Sequence, residues 1–421
     1  MLKDFKVIFK NEFFKNIFTL ITGNTIAQII GLLAIPVLSR MYSPEEFGEV
    51  ALFVGIVNVI AIAANARYDM AIIPPKRSSQ AFHLFAGSIG ITIVVTLLLF
   101  IVIAVFRGSI ASLFDAEVFK RAIWLIPLLV FLMASHKSMH YWFNRSKSYK
   151  TIAQNRVILT STQTGVKLGR FMFSSGYWGL IIGTVVGEIV AWFVYAIKIA
   201  RKELWRLRYL SFRSMKKAFS EYSNFPKFLM PMAVINTFSV NILVFSLSAI
   251  SSSTIVGFYE RAWRVINMPF SLLSTSFGNV FYEQMTRTSN PKRLYLISYF
   301  ANLAIATVVL APVMFWGESI FTFVLGEDWT VAGTIAKLIV PLTISNYATA
   351  CVSNIFSVYK KNQLLLVWQI AYLVIVVSWI FLARLLDIYF LIRIYAFIGA
   401  AIYAVLAYMG YRVVAEKNVV S

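Results

Sequence analysis

Two cations and a run of hydroxyl and amide groups recur through the segment VILTSTQTGVKLGRFMF (157–173) and just beyond it: Thr160, Gln163, Lys167, Arg170 and Ser174. Spacings of three and four place them on one stripe of a helix. Lys167 lies about 12 Å along such a helix from the turn near Ser175, at roughly 1.5 Å per residue, too deep for an easy escape to the interface. Arg170 is shallower and can snorkel. The chemistry on offer is anion binding by an ammonium and a guanidinium; the bland counterpart is a structural ion pair with Glu188 on the next segment. A second stripe runs through YERAWRVINMPFSLLSTSFGNVF (259–281), with Glu260, Arg264, Asn267, Ser271, Ser274 and Gly278, while Arg261 sits nearer one end. Pro269 breaks the hydrogen-bond ladder midway. Arg264 is the leading anion-binding candidate here, against an i,i+4 pair with Glu260.

Other polar groups in apolar surroundings are Asn24 and Gln28, Asn236 and Asn241, which serve either a bound ligand or helix association. Arg67 and Asp69 in RYDMAI suit a cytoplasmic gate or an interfacial salt bridge. Lys137, Lys337 and Arg393 lie near segment ends, where snorkelling explains them. Gly179, Gly183 and Gly187, and Gly165 with Gly169, have the spacing of close helix packing. No catalytic set emerges. His136 and His140 are four apart, but no Glu follows the first and no carboxylate ligand is near, so no metal site is expected. Cys351 is the single cysteine, and no Gly-x-x-x-x-Gly-Lys-Ser/Thr loop is present, so no cofactor is expected beyond a coupling H+ or Na+.

The elements that position these groups follow from composition. Of 421 residues, 59% are hydrophobic and 14% charged, and the mean hydropathy is +0.75. A span needs roughly 20 apolar residues, so the expectation is an all-α polytopic membrane protein with about twelve transmembrane helices and no large soluble catalytic domain. Spans are expected near 17–38, 48–66, 84–106, 122–142, 157–173, 178–199, 228–250, 259–281, 295–316, 334–358, 364–383 and 391–411. The fifth and eighth are polar enough to escape a purely hydropathic count.

The formal charge of +21 would suggest nucleic acid in a soluble protein; in a membrane protein it reports threading instead. Alternate loops hold 27 of the 39 Lys and Arg residues, Arg145, Lys147, Lys150 and Arg156 among them, which puts both termini in the cytoplasm. The basic stretch from Lys198 to Lys227 divides the chain into a six-helix lobe (1–200), a cytoplasmic linker (201–224) and a second six-helix lobe (225–421). The halves echo one another. LSRMYSPEEFGEV (38–50) aligns with LSAISSSTIVGFY (247–259), and Pro127 of LIPLLVF matches Pro341 of LIVPLTI at nearly the same offset, about half the chain. Two parallel lobes commonly enclose a central cavity opened alternately to each side.

Four segments carry a family resemblance: GNTIAQIIGLLAIPVLSRMYSPEEFGEVALF (23–53), RYDMAI (67–72), YERAWRVINMPFSLLSTSFGNVFYEQM (259–285) and VLGEDW (324–329). With twelve expected spans, the chain resembles the polysaccharide-transport branch of the multidrug/oligosaccharidyl-lipid/polysaccharide exporter superfamily, the O-antigen or capsule repeat-unit flippases. The resemblance implies a V-shaped pair of lobes in the bacterial inner membrane. Its implied substrate is an undecaprenyl-pyrophosphate-linked oligosaccharide, carried from the cytoplasmic to the periplasmic leaflet. Implied partners are membrane lipids, a polysaccharide polymerase and a chain-length regulator, with no nucleic acid. Lys167, Arg170, Arg261 and Arg264 would then meet pyrophosphate, while Asn24, Gln28, Asn236, Asn267 and Glu188 line the cavity. A cation-coupled multidrug antiporter would favour cavity carboxylates, and a membrane glycan polymerase or ligase would need a larger outer loop than 107–121 or 317–333.

Overall fold

A computed structural model of the chain describes residues 12–113, 117–171 and 176–417. Ser174 and Ser175 lie outside the described residues. Among the described residues, twelve long helices carry the fold. They are α1 (Glu12–Met41), α2 (Pro44–Ala63), α3 (Ser78–Leu113), α4 (Leu125–Arg145), α5 (Tyr149–Phe171) and α6 (Trp178–Glu203), then α7 (Met230–Ile250), α8 (Ser253–Met285), α9 (Pro291–Leu325), α10 (Thr330–Val352), α11 (Asn362–Ala383) and α12 (Ile388–Lys417). Nine are long and apolar enough to cross a membrane. The three others are α4, α5 and α8, whose polar side chains lower their hydropathy; α4 joins the two expected from sequence because it carries His136, Lys137, His140 and Arg145. Leu97, Leu98, Ile101 and Val105 of α3 are exposed, as suits a helix bathed in lipid rather than water.

The helices form two compact units. The first runs through Ala34 and from Glu49 to Phe238; the second joins Ile35–Gly48 to the chain from Ser239 onward. This differs from a linear division at 200 and 225, because the tip of the α1–α2 hairpin packs with the second unit. In the first unit, Tyr68, Phe82, Phe85, Trp142, Phe143 and Tyr195 build an aromatic core. The basic segment 201–224 also belongs here. Its short helix Phe212–Glu221 docks through Phe219, which stacks on Tyr68 at 4.4 Å and accepts a hydrogen bond from the Tyr68 hydroxyl at 3.1 Å. Arg213, Lys216 and Lys217 stay exposed at the surface.

In the second unit the hairpin tip is held by interlocking contacts. Ser43 and Glu46 form a reciprocal cap on α2, with Ser43 N–H donating to Glu46 Oε2 at 2.8 Å and Glu46 N–H to Ser43 Oγ at 3.3 Å; Pro44 fits the first helical position, where no N–H is needed. Trp329 is 1% exposed; its Nε1 donates to the Ser39 carbonyl at 2.6 Å, and Phe47 packs edge-on to its ring at 5.6 Å. Arg40 Nη2 donates to the Phe323 carbonyl at 3.0 Å. Alongside, α2 and α8 cross at a pair of glycines that occupy equivalent places in the two halves of the sequence, Gly48 and Gly257. A Cβ on Gly48 would overlap the Ser253 carbonyl, and one on Gly257 would overlap the Pro44 carbonyl.

Further features recur between the halves. The third helix of each is broken at an aromatic residue, Phe106 in α3 (φ −108°, ψ 16°) and Trp316 in α9 (φ −120°, ψ 24°). Left-handed lysines close a turn at the matching point of each half, Lys147 (φ 54°) and Lys360 (φ 56°). In each turn, the next N–H reaches back to a carbonyl of the preceding helix: Ser148 to Phe143 at 2.9 Å and Lys361 to Phe356 at 2.7 Å, the helix-terminating pattern that calls for a left-handed residue.

Candidate functional site

In the first unit, α1, α4, α5 and α6 surround a cavity of about 340 Å³ lined by Asn24, Gln28, His136, His140, Ile152, Asn155, Arg156, Leu159 and Tyr195. All but Ile152 and Leu159 are polar or ionisable, an unusual lining among helices this apolar. The i,i+4 spacing of Asn24 and Gln28 on α1 and of His136 and His140 on α4 aims each pair inward. Gln28 Oε1 is buried with no hydrogen-bond partner among the described residues, while Arg156 is exposed at the cavity edge.

One wall is a fixed relay. Asn155, 1% exposed, donates through Nδ2 to the Ala191 carbonyl at 2.7 Å and faces His136 Nε2 with Oδ1 at 2.7 Å. The other ring nitrogen of His136 lies 3.5 Å from Glu188 Oε2, on a residue 7% exposed. Glu188 therefore faces α4. The polar stripe of α5 is seated on the glycines of α6: the Lys167 stem lies over Gly183 and the Gln163 side chain over Gly187. These glycines make room for a cationic stem as well as bringing helices close. Arg170 ends the stripe on α5; its side chain lies outside the described residues.

In the second unit, Arg264 pairs with Glu260 one turn earlier on α8, with Nε donating to Oε1 at 2.6 Å. It remains 60% exposed, so the intrahelical pair leaves the guanidinium accessible. Asn267 turns its amide back to the Trp263 carbonyl at 2.9 Å, and Asn236 on α7 is exposed. Arg261 has a different setting from the cation of a ligand cavity. It is 3% exposed, its guanidinium lies 3.6 Å from the centre of the Phe47 ring and 5.5 Å from that of Trp329, and its Nε has no hydrogen-bond partner among the described residues. Cation–π packing against the hairpin tip thus accommodates this buried guanidinium.

After α2, Ala66 (φ 48°) and Arg67 (φ 59°) are consecutive left-handed residues without being glycine. Asn65 Oδ1 holds the turn by accepting from the Arg67 N–H at 3.0 Å. Arg67 Nη1 stands 3.9 Å from Asp69 Oδ2. Burial pushes the Asp69 carboxyl above its ordinary range, opposed first by the charge of Arg67. Arg156, Asn155 and Tyr195 escape the sequence reading. Arg156 lies early in α5 and counts there as a loop cation; the i,i+1 pair with Asn155 is a usable signal only once the turn at Lys147 fixes where α5 starts.

Comparison with known proteins bears on this fold and site. The chain is 24% identical over 316 residues to the succinoglycan biosynthesis transport protein ExoT of Rhizobium meliloti (strain 1021), an alignment spanning 72% of this chain and 61% of that relative's length. Among solved structures, an inward-facing multidrug resistance MATE family transporter of the MOP superfamily superposes with a TM-score of 0.71 at 15% identity, covering 94% of this chain and 96% of the other. The lipid II flippase MurJ, in its inward closed conformation, superposes with a TM-score of 0.70 at 13% identity, covering 94% and 86%. These two share the fold. The family model described as polysaccharide biosynthesis protein matches residues 37–334, from the hairpin tip into α10, and the chain belongs to that family.

Proposed function

We propose that the protein is a flippase that carries an undecaprenyl-pyrophosphate-linked oligosaccharide from the cytoplasmic to the periplasmic leaflet of the bacterial inner membrane, without covalent chemistry. Its product feeds O-antigen, capsule or exopolysaccharide assembly, where a polymerase and a chain-length regulator act next. The observation that carries this reading is the polar, cation-bearing cavity in the first unit. Asn24, Gln28 and Asn155 offer the amide groups that sugar hydroxyls need, and Arg156 offers a planar guanidinium suited to two phosphate oxygens. Lys167 and Arg264 extend the supply of cations. The lipid tail stays in the bilayer, and the headgroup crosses as the cavity opens to alternate sides. A headgroup of about −2 leaving a negative-inside cell gains roughly 4 to 5 kcal/mol per 100 mV.

The test is leaflet exchange of a fluorescent undecaprenyl-pyrophosphate oligosaccharide in proteoliposomes. Arg156→Ala, Lys167→Ala and Arg264→Ala are expected to slow exchange by about tenfold or more each while remaining monodisperse, since one lost charge-assisted contact is worth about 1.5 to 3 kcal/mol. Wild-type rates in all three would sink the cationic-site reading. Export of an organic cation, or growth of polymer with no added polymerase, would favour the antiporter or the enzyme instead.

A further inference from the structure

The hydrogen-bond geometry around His136 specifies where protons must be. Asn155 commits Nδ2 to the Ala191 carbonyl, so the atom it turns to His136 is Oδ1, an acceptor. His136 Nε2 therefore carries hydrogen. That leaves Nδ1 facing Glu188 Oε2 at 3.5 Å, and Oε2 is buried with no hydrogen-bond partner among the described residues. Were Nδ1 bare and Glu188 ionised, a nitrogen lone pair would face an oxygen lone pair and a carboxylate charge would be buried beside it, an arrangement that costs free energy twice over. One proton resolves both problems, on Nδ1 as imidazolium beside carboxylate or on Oε2 as neutral acid beside neutral imidazole. In either form the pair has no net charge; without the proton it carries −1.

Cations stand on the neighbouring helices. Lys137 and a second histidine, His140, share α4 with His136; the cation Arg156 of α5 lines the same cavity as both histidines, and Lys167 lies over Gly183 of the helix that bears Glu188. From α6 the ring of Tyr195 packs on His136 at 4.9 Å; α1 contributes only the neutral Asn24 and Gln28. No carboxylate lines the cavity among the described residues; Glu188 reaches it through the His136 ring, so the charge of the pair at that wall changes with this one proton.

We propose that His136 and Glu188 form a proton-binding site, holding one exchangeable proton between Nδ1 and Oε2, whose occupancy is linked to anion binding in the adjoining cavity. The second half rests on the functional reading above. Proton binding converts O⁻ facing a bare nitrogen into an N–H to oxygen contact, and proton release reverses it, with water on the open side as donor and acceptor. An anion entering the cavity meets a neutral pair more favourably than a charged one. By reciprocity, anion binding draws the proton in. The deprotonated wall weakens anion affinity on the order of tenfold.

The chain has three histidines, which makes the proton site directly observable by nitrogen NMR of the full-length protein with labelled histidine in nanodiscs. His136 is expected to keep Nε2 protonated throughout and to gain a second proton at Nδ1 as pH falls, with Glu188→Gln moving that step to lower pH. An Nδ1–H neutral tautomer, or an unchanged step in Glu188→Gln, overturns the site; the wild-type tautomer decides even if the variant fails to fold. The linkage is read by calorimetry with inorganic pyrophosphate near pH 7 in two buffers of different ionisation heat. Uptake of at most about half a proton per anion, the ceiling that a tenfold coupling sets, is expected, together with its loss in Glu188→Gln. Equal uptake in the variant overturns the linkage. Absence of pyrophosphate binding in both overturns the linkage and the headgroup reading together, leaving the proton site to the NMR result.

Discussion

Ionisable side chains in or beside apolar helices need partners, and three of them find these in different ways. Arg261 uses aromatic faces, Arg264 uses a carboxylate one turn away, and Asp69 relies on nearby cations that do not fully offset its burial. Asp69 carries a pH consequence, because it lies after α2, outside the apolar helix stretches. Its carboxyl is raised by burial, so the folded state binds its proton more tightly than the unfolded chain. Stability from this group is therefore fully present at low pH, and it declines as pH climbs from the ordinary carboxylate value through the raised one. The melting temperature of the purified protein should fall across that window. In Asp69→Asn the decline should flatten, and an unchanged profile would contradict the assignment. Lys167 and Arg264 stand out in sequence because a charge in an apolar helix is conspicuous. The contact of His136 with Glu188 is not legible there, since it joins residues on separate helices whose rotation only packing decides.

Helix spacing in the sequence locates the elements well, because long apolar runs broken by basic loops leave few alternatives. It underestimates polarity in α4, where two histidines and a lysine read as a span end. The hairpin tip is a harder case. Ser43, Pro44, Phe47 and Gly48 lie in one of the segments that carry the family resemblance, yet their roles are structural. Ser43 caps α2, Phe47 lies under Arg261, and Gly48 admits the α8 backbone; nothing in local sequence reveals partners that lie in the other half of the chain. Gly48→Ala places a methyl group against a backbone carbonyl that cannot rotate aside, so the helices must separate. The expected loss is about 2 kcal/mol or more, read as a lowered melting temperature with leaflet exchange impaired; a variant as stable as wild type would show that the crossing has slack.

At the scale of the whole chain, basic residues set the threading and a duplicated plan sets the rest. On the proposed topology, residues 201–224 face the cytoplasm and the α11–α12 turn lies outside. Cys351 is 1% exposed, so the native chain offers little background to an impermeant maleimide. Leu385→Cys, at an 89% exposed position, should label from outside intact cells and Phe212→Cys only after permeabilisation; the reverse pattern would invert the topology. The repeat is visible in sequence as two short alignments, but its physical content is in the backbone: broken third helices, left-handed lysines and facing glycines, each present once in either half. The glycine pair has a genetic consequence. Each glycine vacates the space that the other's backbone occupies, so once one substitution has pushed α2 and α8 apart, the second meets less resistance. Gly48→Ala and Gly257→Ala together should cost less than their separate effects combined. In a mutational screen these two codons, far apart in the gene, would then behave as one locus, with a lesion at either partly masking a lesion at the other.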